Sequence, residues 1–171
     1  MTYLLDTQVV SYFLQARREA ELAAAAARVP CAIAEVVRDE LLEDPTRGAL
    51  FGRWLPASHL AVRAIEIGSS AEALWLRLQQ PVVTQRGRGE RASIALAAAN
   101  HDYVFAGMDK GSMWLALREL WAPGERIISL PVFLRRLVDG RALAGEIADD
   151  VMRRSNQIVP TWWADWRSTA D

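Results

Sequence analysis

Tyr3-Leu4-Leu5-Asp6 is an apolar run that ends on a carboxylate, and Val104-Phe105-Ala106-Gly107-Met108-Asp109 repeats the pattern far downstream. Each reads as a buried strand with an Asp at its C-terminal end. Between them, Gly89-Glu90-Arg91-Ala92-Ser93 places a Glu at the opening of an Ala-rich helix. In an open α/β sheet the strand C-termini and helix N-termini meet along one edge, where ligands bind. Carboxylates gathered there repel one another unless a cation lies between them. A divalent-metal site, and with it a hydrolase, is the reading these segments favour.

Working outward, strands alternate with helices along the chain. Strands are expected at Tyr3–Leu5, Val29–Ile33, Leu60–Ile65, Val104–Met108 and Arg126–Leu130. Helices are expected over Val9–Ala27, Glu35–Leu42, from the capping box Ser69-Ser70-Ala71-Glu72, Glu90–Asn100, Met113–Leu120 with Ser112 as cap, from Pro131 to Val138, and Ala142–Asn156. Loops are expected at Pro81–Gly89 and at Ala122-Pro123-Gly124. Such alternation predicts an α/β fold with a parallel central sheet. No repeat or domain boundary interrupts residues 1–156, and residues 157–171 form a Trp-rich tail.

The chain has 171 residues, 51% of them apolar, which suits one globular domain and argues against disorder. No apolar run is long enough to span a bilayer. The strand at Tyr3 leaves no room ahead of it for a signal peptide, and Cys31 alone cannot build a disulfide framework or a thiolate zinc cluster. A cytoplasmic protein without a membrane partner is expected. The net charge of −1 confines any nucleic-acid contact to local patches.

The carboxylates differ in how much they say. Asp6, Asp109 and Glu90 also suit helix caps or helix N-termini with no metal present. Glu40 is more telling: Ile33, Val36, Val37 and Glu40 share one face of a helix, so Glu40 lies on an apolar stripe where an unpaired carboxylate is costly. Glu35, Arg38 and Asp39 fall elsewhere. Oxygen-only ligands favour Mg²⁺ or Mn²⁺ over zinc. Such an ion lowers the pKa of a bound water and stabilises an in-line phosphoryl transition state.

Asp6 in LLDT, Glu40 in VVRDELL, Glu90 in GERASIALA and Asp109 in FAGMDKGS resemble the acidic quartet of PIN-domain nucleases. The resemblance runs from Tyr3 to about Gly140. It implies a PIN-like three-layer sandwich and a metal-dependent endoribonuclease, with Asp6, Glu90 and Asp109 holding Mg²⁺ or Mn²⁺. Glu40 would orient a water or bind a second ion. It also implies an RNA substrate, frequent homodimers and, as in VapC-type toxins, an antitoxin partner. Three stretches depart from the family pattern: Gln8 stands where Asn is usual, Ser112-Met113 where a small residue and Arg are usual, and Arg91 where a small residue follows the Glu. The rival reading is a catalytically weak PIN-like scaffold that binds RNA or a protein.

Arg86 and Arg88, in the Arg-Gly-Arg-Gly run before Glu90, are candidate phosphate contacts, and Ser112 is a candidate for a phosphate or a metal-bound water. The run lacks the third glycine of a dinucleotide site. A haloacid-dehalogenase phosphatase needs a second Asp where Gln8 stands, and no nucleophile elbow is present. Trp162, Trp163 and Trp166 are expected to pack on their own domain rather than anchor a partner. Trp54, Trp75, Trp114 and Trp121 are expected in the core.

Overall fold

The computed structural model describes residues 1–80, 87–108, 110–121, 125–156 and 158–169. Five strands form one all-parallel sheet: β1 (Thr2–Leu5), β2 (Cys31–Ala34), β3 (Ala61–Arg63), β4 (Tyr103–Gly107) and β5 (Ile127–Ser129), in the order β3-β2-β1-β4-β5. β2 is buried along its whole length and β4 beyond its first residue, which is why both read as continuous apolar runs rather than alternating ones. Helices flank the sheet, consistent with a PIN-like three-layer sandwich. Among the described residues no helix is long and apolar enough to cross a membrane.

The strand order has a functional consequence. From β1 the chain steps outward through β2 to β3, then returns to place β4 on the other side of β1 and steps out again to β5. The connections therefore diverge between β1 and β4, and a crevice opens beyond their C-termini. Leu5 registers with Ala106, and the Asp6 N–H donates to the Ala106 carbonyl at 3.0 Å, so Asp6 sits level with the end of β4.

The expected helix from Val9 to Ala27 is two helices, α1 (Thr7–Gln15) and α2 (Glu19–Ala26). The break is at Arg17, which takes a left-handed backbone (φ 57°) while Arg17 N–H and Arg18 N–H close back on the Leu14 and Phe13 carbonyls. Arg18 is then free to pair with Glu21 and with Asp150 on a distant helix. Further along come α3 (Glu35–Leu42), α4 (Gly48–Trp54), α5 (Ser70–Gln79) and α6 (Arg88–Ala99). Half of the capping box forms: Ser69 Oγ accepts from Glu72 N–H at 3.1 Å, but the Glu72 carboxylate accepts at 2.6 Å from the N–H of Gly68, one residue before the cap, while Ser69 N–H donates to the Glu66 carbonyl. Of the expected Pro81–Gly89 loop, residues 81–86 lie outside the described residues, as does the expected turn at 122–124.

Helix α7 (Lys110–Leu120) begins before Ser112, so Ser112 is not its cap but a buried residue of its first turn. The buried stripe of α7 is Ser112, Ala116 and Leu120; the opposite face carries Trp114 (72% exposed), and Trp121 (83% exposed) follows the helix end with a left-handed backbone. These two tryptophans are not core residues, whereas Trp54 and Trp75 do pack against the core. Helix α8 (Leu130–Asp139) starts one residue earlier than expected, with Pro131 second in its first turn, and α9 spans Gly145–Ser155. The tail helix α10 (Trp162–Arg167) packs on its own domain: Trp163 and Trp166 are buried, and their indole N–H groups donate to Asp149 of α9 (2.8 Å) and Asp139 of α8 (2.9 Å).

Candidate active site

Three separate segments meet at the crevice beyond β1. Asp6, at the end of β1, caps α1, and its Oδ1 accepts from Thr7 N–H at 2.6 Å. Only 2% of the residue is exposed. Glu40 arrives from the last turns of α3, and Glu90 from the first turn of α6. Asp6, Thr7, Gln8, Glu40, Gly87, Glu90 and Arg91 line one pocket of about 490 Å³. The N-termini of α1 and α6 both open at this edge, and their dipoles favour negative charge there.

Glu40 is the joint of the site. Its Oε2 accepts from the Thr7 hydroxyl at 2.7 Å, and its Oε1 accepts from Gly89 N–H at 2.9 Å. One carboxylate thus ties the first turn of α1 to the first turn of α6 and satisfies a backbone donor that a helix N-terminus leaves open. The face that sequence periodicity assigned to the core does face inward, with Val37 buried and Val36 packed against the core, and Glu40 on it meets these two helix starts. The fit is close because position 89 has no side chain. A Cβ there would lie 2.5 Å from Glu40 Oε2 and 2.8 Å from both Thr7 Oγ1 and Val37 Cγ2. Gly87, with φ 72°, makes the left-handed turn that starts α6.

Of the other residues singled out from the sequence, Asp109 and Arg86 lie outside the described residues. Arg88 is the first residue of α6, half-buried, and is not among the described residues lining the pocket. Ser112 is fully buried near Gly107 and is likewise absent from that lining. Sequence reasoning placed neither Thr7 nor Arg91 in the site, and the pocket contains both. Thr7 is a partner of Glu40. Arg91 had been noted only as a departure from the family pattern, yet it is 8% exposed and hydrogen bonded to Gln79 of α5.

Among the described residues of the lining, the side chains able to ligate a metal offer oxygen and none is His or Cys, which in kind fits a hard divalent cation. Among the described residues no group of three or more His, Cys, Asp or Glu side chains is placed to hold a metal ion. Asp6, Glu40 and Glu90 are the described carboxylates of the lining, both Glu40 oxygens and Asp6 Oδ1 accept hydrogen bonds from the protein, and Asp109 is the further carboxylate that the sequence supplies.

Compared with protein-family models, with curated proteins and with solved structures, the chain finds no match.

Proposed function

We propose that this chain is a Mg²⁺- or Mn²⁺-dependent endoribonuclease that hydrolyses RNA phosphodiester bonds at the crevice beyond β1 and β4. The observation that carries the reading is the convergence of Asp6, Glu40 and Glu90, from three separate segments, on one pocket at the point where the sheet's connections diverge. Four acidic positions in the order and spacing of a PIN nuclease support it. In this reading Asp6, Glu90 and Asp109 hold the ion. When bound, such an ion supplies a nucleophile at neutral pH and offsets charge on the phosphodiester. Glu40 holds Thr7 and Gly89 in place, and so fixes the helix starts that carry Asp6 and Glu90. Buried Asp6 is oriented by the Thr7 N–H at the start of α1.

A cytoplasmic setting, a homodimer and inhibition by an antitoxin partner belong to the same proposal and rest on family resemblance alone. The scaffold reading, in which the pocket binds RNA or a protein without turnover, draws on the two Glu40 oxygens already committed to protein donors. One experiment separates the two. Purified protein and Asp6→Asn are incubated with single-stranded RNA and Mn²⁺. Cleavage by the wild type, abolished in Asp6→Asn, is the expected result. Equal cleavage by both overturns the site, and RNA binding without cleavage favours the scaffold.

A further inference from the structure

The pocket described above is not uniformly acidic. Arg91 lines it, is 8% exposed, and makes its side-chain hydrogen bonds with one group only: Nε and Nη2 donate to Gln79 Oε1 at 3.2 and 3.1 Å. Among the described residues no carboxylate lies within ion-pair distance of its guanidinium, although Glu40 and Glu90 line the same pocket. A largely buried guanidinium with no ion-pair partner gains from an anion that reaches its remaining donor. The two donors accepted by Gln79 lie on one edge of the planar fork. Nη1 is left over, and it lies against the turn at Gly87, where a Cβ would be 3.3 Å from it.

Gln79 shows how this edge is held. Its carbonyl must face the two Arg91 donors, and this turns Nε2 into a buried position where it has no partner among the described residues. The amide therefore gives up one hydrogen bond to fix the guanidinium. Beside Nη1 opens the N-terminus of α6, a twelve-residue helix whose first turn carries partial positive charge. A Cβ at Gly87 would also be 3.5 Å from Glu90 Oε2, so at this turn the pocket sets a guanidinium and a carboxylate side by side.

We propose that Arg91 binds a phosphate group of the substrate, with Gln79 as the positioning residue that aims it. The inference rests on the nuclease reading of this pocket and deepens it, since it identifies how the pocket recognises a phosphodiester. The ligand chemistry is a phosphate oxygen, whether from an RNA strand or from free phosphate, and Arg suits it because its fork makes paired charge-assisted bonds.

The test uses Arg91→Met, Arg91→Lys and Gln79→Glu, with thermal melting, Mn²⁺ titration, KM and kcat on a labelled single-stranded oligoribonucleotide, and melting with inorganic phosphate in metal-free buffer at constant ionic strength. Loss of a charge-assisted pair predicts that Arg91→Met raises KM by about tenfold or more. Its kcat and Mn²⁺ affinity should stay close to wild type, and its melting point should no longer rise with phosphate. Arg91→Lys restores part of both. Gln79→Glu is the decisive variant where Arg91→Met fails to fold. It turns an unpaired guanidinium into an ion pair, so the fold is kept or strengthened while phosphate and RNA binding weaken. A purely structural Arg91 predicts the reverse pattern, with Gln79→Glu binding as wild type and Arg91→Met losing stability, kcat and metal affinity together. Wild-type KM in Arg91→Met, or a wild type that phosphate does not stabilise, overturns the inference. Failure of the wild type to cleave RNA counts against the nuclease instead, and the phosphate arm still decides Arg91.

Discussion

Replacing Glu40 separates two accounts of the acidic pocket by the sign of a stability change. If Glu40 is chiefly one negative charge among several, removing it should stabilise the metal-free protein. The hydrogen bonds argue the opposite. Glu40→Leu keeps the approximate volume but strands the Thr7 hydroxyl and the Gly89 N–H, which now donate at 2.7 and 2.9 Å. Each bond to a charged acceptor is worth about 1.5–3 kcal/mol. Glu40 is half-buried, so water replaces part of the loss, and relief of repulsion returns about 1 kcal/mol. A net destabilisation of about 2–3 kcal/mol follows, or a fall in Tm of roughly 4–12 °C for a chain of this size. Glu40→Gln should stay near wild type, because its carbonyl can accept from Gly89 while its amide donates to the Thr7 hydroxyl, which merely changes role. Differential scanning calorimetry in EDTA reads both. A Leu variant that melts at or above the wild type would refute the strut and make Glu40 an electrostatic liability awaiting a metal.

Gly89→Ala should destabilise by about 1–3 kcal/mol despite the better helix propensity of Ala, because its Cβ has no room between Glu40, Thr7 and Val37. Urea denaturation checks this, and a stabilised variant would mean α6 and α3 are less closely joined than described. Trp166→Ala removes a buried ring and its bond to Asp139 and should cost about 3 kcal/mol or more, whereas exposed Trp114→Ala should stay within about 0.5 kcal/mol. Equal urea midpoints for the two would contradict the packing of the tail. The Arg18 guanidinium holds the Asp150 carboxyl below its ordinary range, and Arg47 does the same for Asp44. Since both folded pKa values are depressed, their stabilisation is present above the unfolded carboxylate range near about pH 4 and is lost as pH falls through the folded values. Tm measured from pH 5 downward should fall less steeply in Asp150→Asn than in the wild type, and identical slopes would remove this pair from the acid response.

What could be read from the sequence, and what could not, follows the range of the interactions. Tyr3–Leu5 and Val104–Gly107 were legible because a parallel strand covered on both faces must be apolar throughout, and the Asp at its end marks where cover stops. Glu40 was legible from helical spacing, though periodicity reports which face is turned inward and not what waits there. What waits is the first turns of α1 and α6, from segments far apart in the chain. The break at Arg17 carries no Gly or Pro. It coincides with the pairing of Arg18 and Asp150, 132 positions apart, which no local pattern encodes. The exposure of Trp114 and Trp121 was available but missed. Arg118 shares the helix face of Trp114, four residues on, and a charged residue on that stripe signals solvent while Ser112, Ala116 and Leu120 make the buried one. Arg91 is the instructive case. As a residue type it looked like a misfit beside Glu90. Its place in the pocket depends on Gln79, which ends a different helix, and on a turn at Gly87 that lets the guanidinium approach the backbone. A departure from an expected motif carries information about function when the structure gives the new side chain an orientation. Here Gln79 supplies that orientation at the cost of its own unpaired amide.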